Sequence, residues 1–189
     1  MSDSRFPLTE PEDLPEDLRA RVGAIAEKSG FTPNIFRALG HRPAELRAFM
    51  DYHDALMERE GGLTKAEREL VVVATSGANH CTYCIVAHGA ILRIRAKDPE
   101  LSDRVAANPW QVELDERGRA IVDLALALSQ DSALFGEADL EAARDAGLSE
   151  EEIWDVGAIT ALFAMSNRLA HLTALKPNPE FFLMGRQKR

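Results

Sequence analysis

The stretch Glu69-Leu70-Val71-Val72-Val73-Ala74-Thr75-Ser76-Gly77-Ala78-Asn79-His80-Cys81-Thr82-Tyr83-Cys84-Ile85-Val86-Ala87-His88 decides how this chain is read. Its two cysteines are the only ones in 189 residues. They stand three apart, His88 follows the second by four, and Glu69 precedes the first by twelve. On a helix, positions i, i+3 and i+7 share one narrow arc of one face. Two thiols, an imidazole and a carboxylate are the parts of dithiol redox chemistry.

The same stretch sets the fold class. Thr64 is a good N-cap and Glu67 completes a capping box, which predicts a helix from Lys65 to about Gly77. The β-branched runs Val71-Val72-Val73 and Ile121-Val122 lack strand alternation and hairpin signals. Ser76-Gly77-Ala78-Asn79 allows a break; the cysteine helix then runs from near Cys81 to about Lys97, closed by Asp98-Pro99.

Upstream, Pro7, Pro11 and Pro15 make an extended entrance before a helix over Leu14 to Lys28, stopped at Ser29-Gly30. Thr32-Pro33-Asn34 starts a short helix to about Leu39, with Pro at its first turn. Pro43 opens another through Leu46, Phe49, Met50, Tyr52, His53 and Leu56, ended by Glu60-Gly61-Gly62. Asn108-Pro109 marks the midpoint of the chain. Beyond it, helices are expected over Asp115 to Ser129, Gly136 to Ala146 and Ser149 to about Leu175, with Pro177 and Pro179 following.

The expectation is an all-α single domain over 1–189. Its parts are an N-terminal helical segment (about 14–60), a redox core (about 63–97) and a C-terminal helical half (about 110–182). A faint internal repeat aligns Leu63–Val71 with Leu114–Val122; the second copy has no cysteine, and Phe135 stands where Cys84 would fall.

Composition narrows the function. Hydrophobic residues make up 46% and charged residues 28%, the balance of an ordinary globular protein. A net charge of −9 argues against nucleic acid and anionic membrane, since a phosphate-binding face needs clustered Lys and Arg. The basic end Arg186-Gln187-Lys188-Arg189 reads as a solvated tail. No secretory h-region opens the chain, and no apolar window approaches a bilayer span, so a cytoplasmic protein is expected. In a reducing compartment two cysteines make no lasting staple, which favours a pair that cycles or binds metal.

The residues themselves weigh those options. Cys81 falls near the positive end of its helix, and Cys84 lies within disulfide reach one turn deeper. His88 leans back over Cys84 as a candidate base, and Glu69 on the preceding helix can orient it. Zinc would want all its ligands ~2.0–2.3 Å away. On one continuous helix Cys81 and His88 are ~10 Å apart along the axis, which disfavours it. No Gly-rich phosphate loop is present, so no organic cofactor is expected. Burial of both cysteines as small hydrophobes is the bland alternative. His41 and His53 read as surface or packing histidines, and Arg168 as an ion-pair or interface residue. Trp110, Trp154, Phe163 and Phe181 read as core or subunit-interface anchors.

The spacing Glu-x11-Cys-x2-Cys-x3-His, carried by Glu69, Cys81, Cys84 and His88, resembles the redox members of the alkylhydroperoxidase D and carboxymuconolactone decarboxylase superfamily. The flanks Leu63-Thr64, Arg68-Glu69-Leu70 and Cys84-Ile85-Val86-Ala87-His88-Gly89-Ala90 look like its peroxidase-related branch. So do Gly147-Leu148-Ser149 and Asn167-Arg168-Leu169-Ala170. The resemblance implies an all-helical alkylhydroperoxidase D-like fold, homo-oligomers (trimers or hexamers), and a dithiol peroxidase cycle without metal or organic cofactor. In that cycle Cys84 attacks a hydroperoxide, Cys81 resolves the sulfenic acid to a disulfide, and an unidentified thiol or protein reductant restores both; Glu69 and His88 relay protons. The chain departs from the family in carrying Tyr83 where the name-giving peroxidase has a histidine, with His80 as a possible stand-in. Lactone decarboxylation or another proton transfer, a disulfide reductase, and a non-catalytic redox-responsive oligomer are the alternatives.

Overall fold

A computed structural model describes residues 3–186. Among these the chain folds into helices alone, with short 3-10 turns at Pro11–Asp13, Pro109–Gln111 and Pro179–Phe182. The helices are α1 (Glu16–Ser29), α2 (Asn34–Leu39), α3 (Pro43–Met57), α4 (Lys65–Ala78) and α5 (Thr82–Ala96). They continue with α6 (Leu101–Ala107), α7 (Glu116–Gln130), α8 (Glu137–Asp145) and α9 (Glu150–Thr173). No described helix is long and apolar enough to cross a membrane.

Helix α4 is the centre. Every residue from Arg68 to Ser76 is buried, because α5, α6, α7 and α9 all pack against it. This is why a run of three valines is helical here. The propensity penalty of a valine is a few tenths of a kcal/mol, roughly, whereas burying its side chain stabilises by about 1.5–3 kcal/mol. Val71 and Val72 enter one apolar cluster with Ile121, Val156, Ile159 and Phe163, and Val73 enters another with Leu92, Val105 and Val122.

The helix starts are tied together by charge. Thr64 Oγ1 accepts from the Glu67 N–H (3.2 Å) while the Glu67 carboxylate accepts from the Thr64 N–H (2.7 Å). Ser149 and Glu152 cap α9 in the same manner. Arg117, in the first turn of α7, donates to both Glu67 and Glu152 at 2.6 Å, so one guanidinium laces three helix origins. It holds the Glu152 carboxyl down at about 2.

Several sequence expectations shift. A helix absent from the sequence reading, α6, fills the interval between Asp98 and Asn108. Asp98 starts it: Oδ1 accepts from the N–H groups of Glu100 (2.9 Å) and Leu101 (3.0 Å). Trp110 and Trp154 are not in the core, being 63% and 72% exposed, whereas Phe163 and Phe181 are buried. In the faint repeat both copies do begin a capped helix, but Phe135 lies in the loop before α8, not inside a helix like Cys84.

One buried charge network fixes the turn before α4. Arg68, 1% exposed, donates to the carbonyls of Arg59 and Gly61 at 2.6 Å each and of Met57 at 3.3 Å. Its counter-charge is Asp155, fully buried on α9, which also takes Arg59 at 2.9 Å and lies 4.0 Å from Arg68. Burial raises the Asp155 carboxyl against the pull of both arginines. Gly62, at φ +64°, leaves room for that carboxylate; a Cβ there would stand 2.9 Å from its Oδ2. Asp155→Ala strands the Arg68 charge in the interior, and such a loss costs about 3–5 kcal/mol. For a chain of this size that is a fall in thermal midpoint on the order of 10 °C, read by calorimetry.

Candidate active site

The turn joining α4 to α5 builds the site. Its backbone doubles back over three residues: the Cys81 N–H donates to the Ser76 carbonyl (2.9 Å), and the Asn79 side chain donates to the Thr75 carbonyl (2.9 Å). His80 takes a left-handed conformation, φ 53°, uncommon for a residue with a Cβ. The sequence reading placed Cys81 inside the helix; instead Cys81 is the N-cap of α5. Its Sγ accepts the Cys84 N–H at 3.5 Å, the role usually given to a Ser, Thr or Asp oxygen.

That position splits the two thiols, both free and both buried. Cys81 is lowered to about 7. The Cys84 S–H donates to it first of all, the Cys84 backbone N–H adds to that, and His171 and Asn167 contribute, together outweighing burial. Cys84 is pushed up by the same hydrogen bond seen from the donor's side, by burial, and by the charge on Cys81. When the reduced pair loses a proton, the charge falls on Cys81 and the remaining proton stays on Cys84.

Glu69 and His88 meet as the spacing predicts. The Glu69 carboxylate lies 2.8 Å from His88 Nδ1, the side chains 9% and 15% exposed. A carboxylate at Nδ1 selects the neutral tautomer whose Nε2 is a free acceptor, the form a general base needs. The ring is set edge-on against Phe163 at 4.6 Å between centroids.

Three further residues belong to this site and were not picked out from the sequence. His53, expected at the surface or in packing, places its ring 6.4 Å from those of both His88 and Phe163. Its imidazole is pushed toward the neutral form, by burial first and by His88 second, with Asp54 at 3.1 Å opposing. Its membership in the apolar stripe with Phe49 and Met50 was the available signal. Asn167 is fully buried and donates to Ser76 Oγ at 3.1 Å, and it lowers both thiols, as Ser166 lowers Cys84. A polar pair inside the apolar run of α9 was the signal there.

The two auxiliary candidates part ways. Tyr83 is buried, and its hydroxyl accepts the Ile35 N–H at 3.0 Å, holding the start of α2. Burial pushes its phenol upward, so it keeps its proton. His80 is exposed and lines, with Cys81, a cavity of about 360 Å³. Among the described residues, no group of three or more His, Cys, Asp and Glu side chains is placed to hold a metal ion.

The model of the carboxymuconolactone decarboxylase family matches residues 43–108, the interval that holds Glu69, Cys81, Cys84 and His88. No curated protein sequence matches the chain. Among solved structures, an alkylhydroperoxidase AhpD core, an uncharacterized peroxidase-related protein from Ralstonia eutropha JMP134, is 51% identical over all of both chains, with a TM-score of 0.96. An uncharacterized peroxidase-related protein from Silicibacter sp. TM1040 is 35% identical over 98% of this chain and 97% of its own, with a TM-score of 0.92. The debrominase Bmp8, solved with 2,3,4-tribromopyrrole, shares the fold at 18% identity, with a TM-score of 0.79 over 94% of this chain and 92% of its own. With that identity sustained over its whole length, the chain belongs to the alkylhydroperoxidase D-like branch of the carboxymuconolactone decarboxylase superfamily.

Proposed function

We propose that the protein is a thiol peroxidase that reduces hydroperoxides through a Cys81–Cys84 dithiol/disulfide cycle. The observation that carries this reading is the Cys81–Cys84 pair, joined by the Cys84 N–H to Cys81 Sγ bond at 3.5 Å, one helical turn from the hydrogen-bonded Glu69–His88 couple. Cys84 gives its proton to His88 and attacks the outer peroxide oxygen; the O–O bond breaks and the alkoxide leaves, taking that proton. Cys81, the more acidic of the two thiols, then attacks the Cys84 sulfenic sulfur as its thiolate and expels hydroxide, which is protonated to water. Glu69 steadies the imidazolium in between.

The remaining expectations enter on the same footing. The protein acts in a reducing, cytoplasmic setting as a homo-oligomer, and the exposed indoles of Trp110 and Trp154 offer apolar surface for subunit contact. Proton transfer without thiols is the second reading, favoured by the Glu69–His88 couple, which is a competent base on its own.

One equivalent of an organic hydroperoxide added to reduced protein is consumed with loss of two thiols. Cys84→Ser abolishes consumption, whereas Cys81→Ser consumes one peroxide and stops at a sulfenic acid that dimedone traps. Untouched peroxide with both thiols intact overturns the reading, and an activity that survives Cys84→Ser points to the second. Glu69→Gln slows the single turnover by about 10²-fold, the usual contribution of a positioned acid–base partner, with unchanged thiol stoichiometry. Iodoacetamide capture of Cys81 is half-maximal near pH 7, because only the thiolate reacts and Cys81 titrates at about 7. Mass spectrometry of peptides quenched across pH 5–10 reads the midpoint, with Cys84 labelled far more slowly.

A further inference from the structure

The cavity at Cys81 has a basic lining. It encloses about 360 Å³, within the range of small-ligand sites, and carries Arg5, His80, His171 and Lys176 with no Asp or Glu among its lining residues. The chain as a whole is acidic, at −9. Asp3, paired with Lys176 at 3.7 Å, is a carboxylate on the outer rim.

The cavity is assembled rather than incidental. The N-terminal segment is strapped along the end of α9 by Arg5 N–H to Thr173 O (2.6 Å) and by Lys176 N–H to Asp3 O (2.9 Å), which brings Arg5 to the mouth. His171 Nε2 lies 2.9 Å from the Asn79 carbonyl, pinning α9 to the turn that carries Cys81. Of the four residues in the redox motif only Cys81 lines this space; Cys84, His88 and Glu69 do not. A molecule entering here meets the buried Cys81 residue at the wall and not the proton-transfer couple.

Building on the dithiol reading above, we propose that this cavity docks the electron donor, and that the donor is a small thiol bearing carboxylates. The donor's thiolate attacks Sγ of Cys81 in the disulfide; the Cys81–Cys84 bond breaks, and Cys84 leaves as a thiolate that takes a proton. A second donor thiolate then attacks the donor sulfur of the mixed disulfide. Cys81 departs as a thiolate, and the two donors leave joined as their disulfide. Two electrons pass from two thiols to one protein disulfide. The end state, Cys81 ionised and Cys84 protonated, follows the order of the two thiols, Cys81 lowered and Cys84 raised. A cationic mouth draws in both the carboxylates and the thiolate form of the donor.

The test isolates the reductive half. The Cys81–Cys84 disulfide is made with diamide, so no peroxide step is involved, and its reduction is followed by stopped flow with mercaptosuccinate, 2-mercaptoethanol and cysteamine at equal thiolate concentration. Mercaptosuccinate is expected to react about 10-fold or more faster than cysteamine at low salt, an advantage that shrinks as salt is raised. In the Arg5→Gln/Lys176→Gln protein the ratio of the two rates falls toward one. Equal rates, or a preference for the neutral or cationic thiol in the unaltered protein, overturn the proposal. So does a charge preference that appears only for a carboxylate-bearing hydroperoxide in the oxidative half. A protein that ignores peroxide yet keeps the thiol preference supports the donor site and fails the peroxidase reading alone.

Discussion

From Arg68 to Ser76, helix α4 has no face turned to water, yet its sequence carries Arg68, Glu69, Thr75 and Ser76. Each polar side chain buried this way must find a partner or cost more than the helix can bear. Arg68 takes Asp155 and the carbonyls of the preceding turn, Glu69 takes His88, Ser76 takes Asn167, and Thr75 lies 3.5 Å from Thr160. Three of those partners sit on α9 and one on α5. The demand of one buried helix for polar company thus orients two helices that build the candidate site.

The parts legible in sequence were those with local causes. The capping boxes Thr64–Glu67 and Ser149–Glu152 are written within four residues, and the Glu69–His88 pairing follows from spacing once a helix–turn–helix is assumed. Local signals also misled. Asp98-Pro99 is a good stop for α5, but the same Asp98 opens α6 by accepting two N–H groups, a second use that the stop obscures. With Asn79 or His80 as the residue before the helix, Cys81 falls in the first turn; the sharp turn at His80 makes Cys81 the cap instead. His53 and Asn167 were missed for a different reason. They arrive from α3 and α9, distant in sequence, and only packing brings them to the motif.

The asymmetry of the sulfurs organises the site into two sides. Cys84 faces the interior, where Asn167 and Ser166 contact it and Glu69, His88 and His53 lie beyond. Cys81 faces the turn, the helix origin and the cationic cavity. Tyr83, where the name-giving peroxidase has histidine, is committed to the N–H of Ile35 and serves architecture. On the His88 side, side-chain exposure rises from Glu69 (9%) through His88 (15%) and His53 (29%) to Asp54 (53%). This ordering of titratable groups leads from the core toward solvent.

Under the proposed dithiol cycle, Cys81 as the cap of α5 ties electron transfer to helix formation. In the reduced protein an anionic sulfur accepts from the first turn of the helix; in the disulfide that sulfur is neutral and a weaker acceptor. Closing the disulfide therefore loosens the start of α5, and the stability lost there counts against oxidation. Whatever strengthens the cap makes the disulfide a stronger oxidant, because the reduced state is the one being stabilised. In the proposed cycle, the driving force for turnover is thus set partly by the backbone of a single turn rather than by the sulfurs alone.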